Sequence, residues 1–214
     1  MADKTTITTV SNGAEAFLAQ IKALGCVRYM FANTGTDHGP LIEAMAKTAR
    51  EDPRDIQPIV VPHEQAAVSM AHGYYNVTQR PQMVLVHTLP GTANALGGVI
   101  NAASCNVPLF LVAGRTPITE GELRAGKSQN IHWRQESRDQ GNIVREFVKW
   151  DYEVRTNQNL AAVVARAYKI AMSEPRGPVY MSLPREWLFE PMESTRLLSS
   201  EALLPASKMQ ADQA

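Results

Sequence analysis

Ile59-Val60-Val61-Pro62-His63-Glu64-Gln65-Ala66-Ala67 joins an apolar run to a helical pattern that continues to Gln79. The run reads as a strand, and Glu64 falls in the first turn of the helix after it. Arg80-Pro81 stops that helix, because a residue before proline is pushed out of the helical region. Met83-Val84-Leu85-Val86-His87 is then the next strand, and its unbroken apolar character implies burial on both faces. A strand, a helix and a second strand at this spacing form a parallel unit with a right-handed crossover.

The same alternation extends both ways. Ser11-Asn12-Gly13-Ala14-Glu15 is a capped helix start, and Gly25 ends that helix. Strands are expected at 26–32, 56–61, 83–87, 108–113, 150–154 and 179–184. Helices are expected at 38–49, 64–79, 91–106, 140–147 and 160–172. The segment 118–139 is polar and without clear period, too long for an idle connection. Beyond Glu190 the composition shifts to Ser, Glu, Ala, Gln and Pro. We therefore expect one domain over 1–190 and a linker-like or disordered tail over 191–214. The pattern implies an α/β fold, a doubly wound, mostly parallel six-stranded sheet with helices on both faces.

Composition narrows the function classes. Lys+Arg and Asp+Glu each number 21, so no net field favours nucleic acid. The N-terminus lacks the apolar core of a signal peptide. The longest uncharged apolar stretch, 89–113, is interrupted by Pro90, Gly91, Gly97, Gly98 and Pro108, and reads as helix plus strand rather than a membrane span. Two cysteines, Cys26 and Cys105, fit neither a disulfide framework nor a zinc site, which makes the cytoplasm the default compartment. Gly-x-Gly-x-x-Gly, Walker-type and Gly-x-Ser-x-Gly motifs are missing from the sequence. His63 and His72 stand nine residues apart, not at the i, i+4 spacing of a helical metal pair, so no metal ligand is assigned.

Three turns follow successive strands, around Gly35, at Glu64 and around Pro90-Gly91. In a parallel sheet all three land on the carboxyl edge, where ligands bind. Glu64 there either complements the helix dipole or addresses a ligand. Three segments carry a resemblance that chooses between these: Phe31-Ala32-Asn33-Thr34-Gly35-Thr36, His63-Glu64-Gln65 and Pro90-Gly91-Thr92-Ala93-Asn94. They resemble the N-terminal, pyrimidine-binding domain of thiamine diphosphate (ThDP) enzymes of the acetolactate synthase type, over about 8–190. This sequence has Asn33-Thr34-Gly35-Thr36 where the family has aromatic-Pro-Gly-Gly. It has His87-Thr88-Leu89-Pro90-Gly91 where the family has Thr-Ser-Gly-Pro-Gly.

The resemblance implies that Glu64 contacts N1′ of the cofactor's aminopyrimidine and drives its activation. It places Asn33, Thr34, Gly35, His87, Pro90 and Asn94 around the ring. Ile131-His132-Trp133-Arg134-Gln135-Glu136 resembles the family's Phe-Gln-Glu segment, whose glutamine faces the substrate; this points to Gln135, with Asp139-Gln140 a competing match. The implied substrate is a 2-keto acid. The family holds Mg²⁺ and the diphosphate with Gly-Asp-Gly and a distant Asn, which this sequence lacks. That half of the site is expected from a diphosphate-binding domain or subunit, in a homodimer or tetramer. Two other readings are an alpha-type subunit of a split ThDP-dependent decarboxylase and a non-catalytic module that retains the fold.

Overall fold

The computed structural model describes residues 5–51, 55–121 and 124–203. The expected loop at 51–55 and the end of the expected tail, 204–214, lie partly or wholly outside the described residues. In chain order the elements are β1 (Thr5–Thr9), α1 (Gly13–Leu24), β2 (Tyr29–Asn33), α2 (Gly39–Glu51), β3 (Gln57–Val60), α3 (Glu64–Thr78), β4 (Met83–Val86) and α4 (Thr88–Ser104). They continue with β5 (Phe110–Arg115), α5 (Asn130–Arg134), β6 (Asp151–Glu153), α6 (Leu160–Met172), β7 (Val179–Pro184), α7 (Arg185–Phe189) and β8 (Ser194–Leu198).

Six strands form one parallel sheet in the order β3-β2-β4-β5-β7-β6. All six strands expected from the pattern are present. Alternation of side chains divides the sheet between two cores. Met30, Ala32, Met83, Leu85, Phe110, Val112 and Met181 pack with α1, α2 and α6. Phe31, Val84, Val86, Leu111, Ala113 and Tyr180 pack with α3 and α4 on the other face. The chain runs outward from β2 to β3, then returns to β4 on the other side of β2. Strand order reverses there, so α2 and α4 leave for opposite faces. A crevice opens between the carboxyl ends of β2 and β4.

Two expectations differ from the structure. The helix expected at 140–147 is a pair of 3₁₀ turns, Gly141–Ile143 and Arg145–Phe147. Asp139 accepts from the Asn142 backbone N–H at 3.2 Å and from Arg145 Nη1 at 2.7 Å. Such side-chain bonds compete with the helical ladder. The stretch after Glu190, read as a tail, contains β8, which pairs antiparallel with β1. Gln20, fully buried on α1, anchors it: its amide donates to Leu198 O at 2.7 Å and its oxygen accepts from Leu198 N at 2.9 Å.

The small residues of α3 and α4 also divide. Ala67, Ala71, Thr92, Ala95 and Gly98 are buried, while Ala66, Ser69, Gly73, Ala93 and Gly97 are exposed. A Cβ on Gly98 would sit 2.7 Å from Val68 Cβ, so this glycine sets the approach of the two helices within one chain. Gly98→Ala is expected to destabilise by about 1–3 kcal/mol, the usual cost of overpacking. Gly97→Ala meets only Gln65, at 3.6 Å, and should leave stability unchanged or raise it by about 0.5–1 kcal/mol. Urea unfolding of the two variants checks the contrast.

Candidate active site

β3 delivers the chain to the carboxyl edge, and α3 begins at Glu64. His63 caps the helix, its Nδ1 accepting from Gln65 N at 3.2 Å. The Glu64 side chain turns into the crevice, where the residue is only 7% exposed. Asn33 Nδ2, from the end of β2, donates to Oε1 at 3.1 Å. Asn94 Nδ2, from α4, donates to Oε2 at 3.1 Å. The backbone at Gly91 comes close as well, since a Cβ there would lie 3.4 Å from Oε1. The helix dipole favours an acid here by about 0.3–1 kcal/mol. Burying an ionised carboxylate costs several kcal/mol. The dipole therefore does not explain the burial. Two hydrogen bonds to the charged group, about 1.5–3 kcal/mol each, come closer to offsetting it.

A second cluster lies beside the first. His87 ends β4 and is held from both ring nitrogens. Nδ1 meets Asp37 Oδ1 at 2.5 Å, and Nε2 meets Gln135 Oε1 at 3.0 Å. Both partners are acceptors, so the doubly protonated ring is favoured. Asp37 is 3% exposed, and its Oδ2 makes no hydrogen bond. Two glycines create the space: a Cβ on Gly35 would run into the His87 ring, and one on Gly114 would run into the Asp37 carboxylate. The hydrogen bond to Asp37 pushes the His87 pKa above its ordinary value, against the opposing effect of burial. His38, fully buried beside Asp37, is pushed down by desolvation and stays neutral near pH 7. Thr88 follows with φ 40°, a left-handed conformation that costs a β-branched residue about 1–3 kcal/mol. Its hydroxyl reaches Gln135 Oε1 at 3.4 Å.

The residues singled out from the sequence thus fall into two groups. Asn33, Glu64 and Asn94 form one hydrogen-bonded set; Gly35, His87 and Gln135 belong to the other. Thr34 and Pro90 are exposed at the rim. Gln135, not Gln140, reaches His87. Gln140 is buried, its amide donating to Gly114 O at 2.8 Å and to the Tyr180 hydroxyl at 2.9 Å. Sequence reasoning missed Asp37. Its only signal was a charged residue in a turn already assigned to the site. Two larger clefts, about 200 Å³ between α1 and α2 and about 340 Å³ beside β6, do not include Glu64. Among the described residues no group of three His, Cys, Asp or Glu side chains converges as a metal site. No helix among them is long and apolar enough to cross a membrane.

A buried glutamate at a topological switch point invites comparison with known proteins. Residues 11–143 match the profile of the thiamine pyrophosphate enzyme N-terminal TPP binding domain. The chain belongs to this family. It is 30% identical over 155 residues to benzoylformate decarboxylase of Pseudomonas aeruginosa, covering 72% of this chain and 26% of that protein. It is 29% identical over 176 residues to the acetolactate synthase large subunit of Lactococcus lactis, covering 82% and 28%. Oxalyl-CoA decarboxylase of Escherichia coli is 29% identical over 154 residues, covering 68% and 26%. Among solved structures, the thiamine diphosphate-dependent 4-hydroxybenzoylformate decarboxylase of Rhodococcus jostii RHA1 superposes with a TM-score of 0.70 at 25% identity. That match covers 94% of this chain and 34% of the other. The chain spans about a quarter of the length of the curated relatives it matches.

The Asp37–His87 pair makes stability depend on pH. The folded pKa of His87 is raised, so its contribution is complete below about pH 6.5, the unfolded value, and is lost as pH rises through the folded value. Asp37→Asn is expected to lower the His87 pKa and to flatten that part of the stability profile. Histidine titration by NMR, with urea unfolding between pH 5 and 9, checks both.

Proposed function

We propose that this chain is the pyrimidine-binding part of a thiamine diphosphate-dependent enzyme acting on 2-keto acids. The burial of Glu64 between Asn33 and Asn94 carries the reading. The residues present suit one half of the cofactor. A carboxyl group addresses a ring nitrogen, the Gly91 backbone leaves a close, side-chain-free approach, and Thr34 and Pro90 frame the rim. Mg²⁺ and the diphosphate fall to a separate domain or subunit carrying the Gly-Asp-Gly segment. When bound, the cofactor supplies a carbanion-stabilising centre at which a carboxylate can leave as carbon dioxide.

In this reading Glu64 would address N1′ of the bound pyrimidine, and Asn33 and Asn94 fix the carboxyl plane. His87, kept protonated by Asp37, is the proton donor toward the substrate, and Gln135 orients its Nε2. A proton donor so placed suits release of an aldehyde after decarboxylation. Both cysteines are free, in keeping with a reducing, cytoplasmic compartment.

Glu64→Gln keeps the shape and removes the exchangeable proton. In enzyme reconstituted with a diphosphate-binding partner, it should lower turnover by about 10²-fold or more with fold and assembly intact. Steady-state kinetics decide. Activity within a few-fold of the parent would reduce Glu64 to a helix-terminal acid.

We assign the homodimer contact to the outer face of α3 and α4. Ala66, Gly73, Met70, Val77, Ala93 and Gly97 leave apolar surface exposed there. Gly73→Arg enters open space and should not disturb the monomer. Sedimentation is expected to show a dimer or larger species for the parent chain and a monomer for Gly73→Arg.

A further inference from the structure

Thr92, Gln140 and Tyr180 are buried polar residues that the function described so far does not use. Thr92 is on α4, Tyr180 is on β7, and Gln140 stands just before the first 3₁₀ turn. Their side chains form one hydrogen-bonded chain whose direction is fixed at each link. Gln140 Nε2 donates to Gly114 O at 2.8 Å; a carbonyl only accepts, so the nitrogen of the carboxamide must face it. The same nitrogen donates to the Tyr180 hydroxyl at 2.9 Å and, more distantly, to Thr92 Oγ1 at 3.4 Å. Thr92 Oγ1 gives its one proton to Thr88 O at 2.8 Å. The 3.1 Å bond between Thr92 and Tyr180 therefore runs from the tyrosine. Burial pushes the Tyr180 pKa up to about 12, so that proton stays in place across the neutral range.

The chain ends on two backbone carbonyls that stand behind the Asp37–His87 contact. Thr88 follows His87 directly and is held at φ 40°. Gly114 lies so close to the Asp37 carboxylate that a Cβ would collide with it. Apolar packing alone gives no reason for two hydroxyls and a carboxamide here. Gln140 Oε1 is buried without a hydrogen bond, and an incompletely satisfied polar network is less stable than apolar packing of the same volume. His87 itself faces Asp37 and His38 from the turn after β2, Glu64 from α3, His132 and Gln135 from α5 and its end, and Arg185 from α7. Among the described residues none of these side chains bonds to Thr92, Gln140 or Tyr180. A change in the chain reaches the imidazole through the backbone at Thr88 and Gly114.

We propose that Tyr180 is a positioning residue for His87, acting through Thr92 and Gln140 to hold the two backbone segments against which Asp37 and the imidazole meet. The consequence for catalysis rests on the reading of His87 as the proton donor.

The test is a histidine titration by NMR on the whole chain, without cofactor, with urea unfolding alongside. Thr92→Val keeps the shape and removes the hydroxyl, whereas Thr92→Ser keeps the hydroxyl and removes a methyl. If packing alone mattered, valine would match the parent better than serine. The hydrogen-bonded chain predicts the opposite. In Tyr180→Phe and Thr92→Val the His87 pKa is expected to fall toward its ordinary value of about 6.5, and the Nδ1–H signal to broaden. Thr92→Ser is expected to titrate as the parent does. Tyr75→Phe is the control: it removes a buried tyrosine hydroxyl that accepts from Arg176 at 2.6 Å, outside the chain, and should lower stability without moving His87. A parent-like His87 in Tyr180→Phe and Thr92→Val, a serine variant that behaves like the valine one, or an equal shift in Tyr75→Phe would each overturn the proposal. Should Tyr180→Phe not fold, the Thr92 pair decides. An active Glu64→Gln enzyme would sink the cofactor reading and leave this brace standing; an unmoved His87 would do the reverse.

Discussion

Right-handed crossovers impose the constraint from which the site follows. Because strand order reverses between β2 and β4, the helices leaving these strands must cover opposite faces. No backbone fills the gap at their carboxyl ends, so side chains do. Asn33 comes from β2, Glu64 from α3, His87 from the end of β4 and Asn94 from α4. Each is brought by an element whose own packing is secured elsewhere, in the two cores on either side of the sheet. The site therefore sits on rigid elements while its polar groups stay reachable.

Two acids meet at this edge, and the chain treats them differently. Two carboxamides donate to Glu64, one to each oxygen. Asp37 is bonded to an imidazole and raises that imidazole's pKa. One carboxylate is held by neutral donors and the other by a proton-carrying ring. The strained backbone of Thr88, between His87 and the start of α4, persists because the Gln135 contact and the bond from Thr92 to the Thr88 carbonyl hold it.

The comparisons fix the family and no more of the chemistry than that. The relatives include decarboxylases and acetolactate synthases, and this chain matches about a quarter of each. The imidazole at the end of β4 and the acid in the first turn stand together at the same edge of the sheet.

The six parallel strands and the helix at Glu64 were legible in the sequence. Period-2 and period-3.6 patterns are local, and Gly25 and Arg80-Pro81 punctuate them through backbone sterics alone. The residues at the carboxyl edge were legible for the same reason, since a βα turn fixes where its own residues lie. Three things needed the tertiary structure. The β1–β8 pair joins Thr5 to Leu198, 193 residues apart, and Thr9 to Ser194, 185 apart, and strands this short carry little signal until they meet. The contact between Asp37 and His87 spans 50 residues and depends on space left by Gly35 in the turn after β2 and by Gly114 in β5. The choice of Gln135 over Gln140 turned on which side chain the crowded core claimed. Gln140 went to Tyr180 and Gly114, and Gln135 was left facing the imidazole. Local sterics set the elements and their edge, whereas charge partners and side-chain burial are long-range quantities that only the packed sheet decides.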